Sequence, residues 1–563
     1  MEEILPPAGP GNLWDYEALR RGFDWGAFRS EFDWSRGGAY NVAAEAIDRH
    51  ALDGRGPRPA LHSVGVGGEV RSFTFQEMSE MSSRLASGLV RLGARRGERV
   101  LVYLDRGPEL LVSLLGIVKM GGIAGPLFSA LGPEAVRDRA MDCQASAIVT
   151  TPYLFQRLRT VLGELGSVRH FIILGHEGED GIVPFERLLR SGDPGFPAVD
   201  MGPDDPYVIH YTSGSTGKPK GILLAHKAMT QQLMACRYVV DLREDDVYWC
   251  TADPGWVTGT SVGIFGPWYL GTTVVSYEGR FDARAWYSLI QRLRVSVWFT
   301  APTALRMLMR EGDALVRGHE LGSLRHVCSA GEPLNPEVVR WGLRALGQRI
   351  HDNWWQTETG APCISNFRSV PLKPGSMGLP LPGVSAAIVD ERGEVHEGHE
   401  VPHLVEVPDH AVDVDHVPAG HLQQYRGVML GQALGQVVHS RQLGYALHHE
   451  PHPPHGLGGQ SGQSPLDDAR LHQCLDAAVH GLRGNVQLLA QLGERHPRVL
   501  HHASANGDVR LVHATGSSLA AIIGCARPGT LDDLLPHPTE MHHAGEEHDD
   551  ADDQQPEAQP PAP

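Results

Sequence analysis

The chain has 563 residues, 41% hydrophobic and 21% charged, with a net charge of −18. This length suits two to four domains of roughly 100–200 residues each, and the composition is that of a folded globular protein rather than a fibrous one. Neither half carries a basic patch, which argues against a nucleic-acid partner. Seven widely spaced cysteines without a CxxC pair argue against a disulfide framework or a zinc ribbon. With no basic and apolar leader at the N-terminus, a cytoplasmic location is expected.

In chain order, apolar β-rich runs recur at 99–103, 147–150, 170–174, 207–210, 272–277, 296–299, 326–329 and 386–389. Amphipathic stretches at 76–92, 133–142 and 336–346 lie between them. Alternating strands and helices predict an α/β fold with parallel sheets covered by helices. Residues 110–128 are the best membrane candidate, but Lys119 sits at the centre and Gly121, Gly122 and Pro126 follow. A buried helix running into a strand explains this stretch better than a span, so no membrane is expected.

The composition changes near Val395. Residues 1–395 hold 41 basic and 45 acidic residues, a net −4, and residues 396–563 hold 8 and 22, a net −14. All 14 Phe and all 11 Trp lie in 1–367, the last lysine is Lys373, and 21 of the 30 histidines follow residue 395. We therefore expect a domain over 1–395 and a tail of no recognisable class over 396–563, with weak helical signals at 466–482 and 486–492. The tail has runs of histidine but no HExxH and no H-x3-H convincingly paired with a carboxylate, so odd composition explains them better than a metal-binding tract.

The strongest local signal is Tyr211-Thr-Ser-Gly-Ser-Thr-Gly-Lys-Pro-Lys-Gly221. Gly214 and Gly217 let backbone approach an anion. Thr212, Ser213, Ser215 and Thr216 supply hydroxyl donors, and Lys218 and Lys220 supply charge. That suits a triphosphate. It is not a Walker A loop, which has four residues between its glycines and then GK[ST]. A Gly/Ser linker would not be followed by the apolar run 222–225.

This loop resembles the phosphate loop of the acyl-adenylate-forming superfamily, and three more segments follow in that family's order. Residues 248–260, YWCTADPGWVTGT, resemble the acyl-pocket and CoA-facing segment of the short-chain enzymes; Gly331-Glu-Pro333 resembles the base motif and Asp352-Asn-Trp-Trp-Gln-Thr-Glu-Thr-Gly360 the adenylate motif. Residues 40–50 and 122–128 also resemble acetyl-CoA synthetases, and the resemblance covers about 12–395. It implies a large N-terminal acyl-adenylate-forming domain with acetate, ATP, Mg²⁺ and coenzyme A as substrates and cofactors. It places Thr212 to Lys220 on the β- and γ-phosphates and Gly331, Glu332 and Pro333 on the adenine. Asp352, Asn353, Trp354, Trp355, Gln356 and Thr357 run beside adenine and α-phosphate. Glu358 helps hold Mg²⁺, Val257, Thr258 and Trp355 form the acyl pocket, and Thr258 faces CoA. An indole at Trp355 leaves room for a methyl or ethyl group, which favours acetate with propionate as the near alternative.

The resemblance then stops. The family continues with Thr-Gly-Asp, whose Asp binds ribose, a Gly-Arg-x-Asp-Asp hinge, and a small domain that delivers a lysine to the α-phosphate. None of these occurs in 396–563, so no catalytic residue is identifiable there. Yet the chain is about as long as a complete member, which suggests DNA read in another frame or a decayed gene, and a disordered tail. The rival is a real, novel domain. Function is thus expected as acetate–CoA ligase by lineage, impaired in this chain. The alternatives are a propionate–CoA ligase, a nucleotide-binding pseudoenzyme, or a metal-binding or interaction tail on an inactive scaffold.

Overall fold

A computed structural model describes residues 2–7, 11–179, 181–213, 219–386 and the backbone of 428–431 and 436–439. Sixteen strands of the described body, in chain order, are β1 Pro59–Val64, β2 Val70–Thr74, β3 Arg99–Tyr103, β4 Ile123–Leu127, β5 Ala147–Thr150, β6 His170–Ile173, β7 Ile182–Pro184, β8 Pro206–Ser213, β9 Pro219–Ala225, β10 Val247–Cys250, β11 Thr273–Tyr277, β12 Val297–Phe299, β13 His326–Ser329, β14 Ile350–Trp354, β15 Ile364–Ser365 and β16 Leu379–Pro380. They form two sheets, ordered β7-β6-β5-β3-β4-β8-β9 and β16-β15-β14-β13-β12-β10-β11-β1-β2. The interior pairs are parallel, as expected. The edges differ from that expectation: β2, β9, β15 and β16 are antiparallel to their neighbours. An antiparallel partner needs only a short turn, whereas every further parallel strand needs a crossover.

Seven of the expected strands and all three helices form within a few residues of their expected ends. The expectation at 386–389, the tail and its helices lie outside the described residues, except for an antiparallel pair, Val428–Gly431 with Gln436–His439.

Local chemistry accounts for the helices that connect the strands. Phe75–Arg91 starts on a capping box: the Glu77 amide donates to Thr74 Oγ1 at 3.1 Å, and the Thr74 amide donates to Glu77 Oε2 at 2.8 Å. Pro108–Lys119 starts on a proline, is buried nearly throughout, and runs into β4. No described helix is long and apolar enough to cross a membrane. One core cluster takes in the inward faces of both sheets together with these helices. The described cysteines are free; Cys236 and Cys328 are buried within this cluster, and Cys250 is half-buried against it.

Lys119 is fully buried. Its ammonium lies 2.5 Å from Asp48 Oδ1 and donates to the Ser79 carbonyl and to Ser83 Oγ, each at 2.9 Å. Three acceptors meet three donors. Removing one partner strands a buried charge, so Asp48→Ala is expected to lower unfolding free energy by about 3 kcal/mol. The double change Asp48→Leu with Lys119→Met should recover most of that loss. Chemical denaturation of the three proteins checks this; equal midpoints for Asp48→Ala and the parent would refute it.

Candidate active site

The site is built where parallel strands end. In register across four neighbours, Cys250, Phe299, Cys328 and His351 stand side by side. One residue further on come Thr251, Thr300, Ser329 and Asp352. Thr251 and Thr300 share a hydroxyl bond at 2.7 Å, Ser329 Oγ donates to the Thr300 carbonyl at 2.8 Å, and Asn353 Nδ2 donates to the Ser329 carbonyl at 2.9 Å. The carboxyl ends of strands in an open α/β sheet are where such folds bind ligands.

Three of the four loops leaving this row carry one of the sequence motifs; the loop after β12 leads into the helix Pro302–Glu311. From β10 comes 251–260. Asp253 Oδ1 accepts from the Gly255 amide at 2.9 Å, and burial raises this carboxyl above its usual range. A Cβ on Gly255 would sit 2.7 Å from the Phe128 ring, so a larger residue here would have to displace that ring. The Phe128 ring lies 5.1 Å from that of Trp256, which is exposed. The short helix Val257–Thr260 follows, with Val257 buried and Thr258 half-buried.

From β13 comes the base motif. Gly331 has φ +97°, a left-handed conformation that favours glycine. Gly331, Glu332 and Pro333 are exposed. The Glu332 carboxylate is occupied: Thr303 Oγ1 donates to it at 2.6 Å, and Arg306 pairs with it from the helix Pro302–Glu311. Sequence reasoning missed both partners, which lie about thirty residues upstream.

From β14 comes the adenylate motif. Asp352 and Asn353 are buried; Trp354, Trp355, Gln356, Thr357 and Glu358 are half-buried. Trp355 packs against the cluster that contains Val257. The Gln356 amide donates to Thr359 Oγ1 at 3.1 Å, closing the turn Thr357–Thr359 that carries Glu358. Glu358 joins no ion pair among the described residues.

The phosphate-loop motif enters from the other sheet. Its flanks pair as a hairpin, Thr212 opposite Lys220 and Ser213 opposite Pro219. Gly214, Ser215, Thr216, Gly217, Lys218 and the Ser213 side chain lie outside the described residues. The strand is fixed just before the loop. Tyr211 donates its hydroxyl to Asp142 Oδ2 at 2.8 Å, and His210 Nε2 lies 2.8 Å from Thr260 Oγ1. The adenylate turn meets the same hairpin: a Cβ on Gly360 would lie 3.4 Å from Leu224. Sequence reasoning gave no role to His210 or Asp142, nor to Tyr211, which opens the phosphate-loop motif. The alternation of polar His210 with aromatic Tyr211 in an otherwise apolar strand was the available signal.

The family model for AMP-binding enzymes matches residues 48–402. The chain belongs to the AMP-binding enzyme family. It is 47% identical over 388 residues to the acetyl-coenzyme A synthetase of Bacillus subtilis (strain 168), covering 68% of this chain and 67% of that one. Against the acetyl-coenzyme A synthetase of Methanothrix thermoacetophila it is 37% identical over 385 residues, 64% of this chain and 58% of that one. The chain thus spans about three-fifths to two-thirds of these curated relatives. A crystal structure of a Brucella canis acyl-CoA synthetase matches with TM-score 0.63 and 31% identity, over 68% of this chain and 70% of that one. An anthranilate CoA ligase in complex with anthranoyl-AMP matches with TM-score 0.59 and 29% identity, over 64% and 68%.

Burial pushes the Asp352 carboxyl up to about 7, outweighing the backbone amides that favour its charged form. A raised carboxyl contributes stability below the ordinary carboxylate range, and that contribution is lost as pH rises through about 7. Burial holds His210 and His326 down to about 4 and His351 well below its usual value, which acts in the opposite sense in acid. These histidines titrate equally in parent and variant, so the difference between the two isolates Asp352. The melting midpoint of Asp352→Asn minus that of the parent should grow between pH 5 and pH 8, tested around the value of about 7. A difference that stays flat with pH would refute the assignment.

Proposed function

We propose that this chain is, by lineage, an acetate–CoA ligase of the AMP-forming type. In the first half-reaction an acetate oxygen attacks the α-phosphorus of ATP, forming acetyl-AMP and releasing pyrophosphate. In the second, the CoA thiol attacks the acetyl carbon, forming the thioester and releasing AMP. The work of such a site is to position anions and neutralise them.

The observation that carries the acetate reading is the half-buried Trp355 indole packed on the cluster that holds Val257. A bulky ring at one wall and a buried β-branched residue at the other fit a methyl or ethyl group. In this reading Thr258 faces CoA, and Thr212 to Lys220 take the β- and γ-phosphates. The backbone at Gly331, Glu332 and Pro333 meets the adenine, since the Glu332 carboxylate is occupied by Arg306 and Thr303. Residues 352–357 flank the adenine and α-phosphate. A single carboxylate that joins no ion pair suits Mg²⁺, which is held by one or two carboxylates plus substrate phosphates. Glu358 would hold the ion, and the ion's chemistry would be to neutralise the triphosphate.

The second reading, nucleotide binding without useful turnover, is favoured by one sequence fact: no lysine follows Lys373. We place the working domain in 1–395 and assign no role to 396–563. A preorganised cation lost from a transition state costs typically about 10²–10³ in rate.

Three outcomes are expected. Acetate-dependent pyrophosphate release by the full chain should be about 10²–10³ slower than by a chimera carrying a related enzyme's C-terminal domain in place of 396–563; equal rates would sink the impairment. In that chimera Trp355→Gly should shift preference from acetate toward longer acids, because the vacated volume accepts further methylenes. A parent chimera that prefers butyrate would end the acetate reading. Calorimetry on the full chain should give weak MgATP binding, since two missing charge-assisted bonds of about 1.5–3 kcal/mol each weaken affinity about a hundredfold or more. A sub-micromolar affinity would contradict this.

A further inference from the structure

His210 is 1% exposed and stands on β8 immediately ahead of the phosphate-loop motif. Its Nδ1 lies 3.3 Å from the Gly255 carbonyl and its Nε2 lies 2.8 Å from Thr260 Oγ1. A carbonyl only accepts, so the geometry assigns the proton to Nδ1 and leaves Nε2 as an acceptor for the Thr260 hydroxyl. The Val257 carbonyl, 3.1 Å from that hydroxyl, keeps a donor in Ser261 Oγ at 2.7 Å. Burial holds the imidazole's pKa down to about 4, so the ring is neutral, as this wiring requires.

One ring thus grips both ends of residues 256–259, the stretch that carries Val257 and Thr258. Tyr211, the next residue, points to the opposite face of the strand and is held by Asp142. The strand that feeds the phosphate loop is therefore braced on both faces, and one brace is the acyl segment itself. An apolar residue of equal size would fill the space but leave the Gly255 carbonyl and the Thr260 hydroxyl without this partner.

We propose that His210 is a positioning residue that fixes the acyl-pocket wall against the phosphate-loop strand, and through that wall sets the upper size of the acid. The inference rests on the reading of this site as an adenylate-forming pocket.

The test uses the full chain and three ligands followed by calorimetry: MgATP, adenosine 5′-ethylphosphate and adenosine 5′-butylphosphate. The two esters stand in for a short and a longer acyl-adenylate. The parent should prefer the ethyl ester by about tenfold or more, the scale of discrimination that added methylenes allow. His210→Leu should lower that ratio by roughly fivefold while MgATP affinity moves less than about threefold, and His210→Gln, which retains a donor and an acceptor near the Nε2 position, should restore the ratio. If His210→Leu does not fold, Thr260→Val, which removes only the hydroxyl partner, carries the same comparison. A ratio unchanged in both variants, or equal weakening of all three ligands, would overturn the inference by showing a merely structural histidine. A parent chain that binds none of the three overturns the adenylate reading, and the inference falls with it.

Discussion

Three of four neighbouring parallel strands stop within a residue of the same level, and β14 alone runs on, to pair with β15. Polar groups at that level must be satisfied by side chains or by a ligand. Thr251, Thr300 and Ser329 occupy it, bonded sideways to one another or to adjoining carbonyls, beside Asp352, whose carboxyl takes backbone amides. This row fixes where each following loop begins. The acyl segment, the base motif and the adenylate motif are separated by tens of residues in sequence, yet each leaves the sheet from a neighbouring strand. The phosphate-loop hairpin comes from the second sheet and is tied in by side chains rather than by backbone pairing. At the site a few polar contacts add to the apolar core cluster that the two sheets share.

The parts of this arrangement that were legible in sequence are those whose chemistry is local. Apolar runs such as 147–150 and 326–329 read as buried strands because both faces are covered. β14 did not read as a strand, since His351, Asp352 and Asn353 interrupt any apolar run; His351 is buried against His326, and Asp352 stands in the row at the strand ends. The antiparallel edges were equally hidden, because β15 and β16 are two residues each and carry no periodicity. Glycines and hydroxyls marked the phosphate loop, but the contacts of His210 and Tyr211 cross 50 and 69 residues of chain, so spacing could not reveal them.

Charge follows a similar division. Several charges of the described body are paired internally, while buried Arg349 meets only carbonyls. Arg325 bonds Asp241 at 2.6 Å and also holds Asp246, while the other Asp241 oxygen takes the Asn12 amide at 2.5 Å and so ties down the N-terminal segment. Lys119 is consumed by Asp48, and Arg306 by Glu332. Much of the arginine content is therefore structural. In the adenylate reading, the positive charge offered to a triphosphate comes from the motif's own lysines and a bound cation, and little else in the described body is placed to substitute.

Three thiols lie beneath this site, on or beside the strands that form it. Burial raises Cys250 to about 11 and lifts Cys236 and Cys328 well above the ordinary thiol value. Alkylating reagents attack the thiolate, so a raised thiol reacts slowly. Modification of the buried Cys236 and Cys328 then proceeds through opening events, and its rate is a clock for those events. Cys250 immediately precedes Thr251 at the site floor, whereas Cys236 is packed deep between helices. In the adenylate reading, a bound nucleotide would slow labelling at the first through local shielding, and at the second only by stabilising the fold. The molecule therefore carries its own pair of reporters, one sensitive to occupancy and one to global opening.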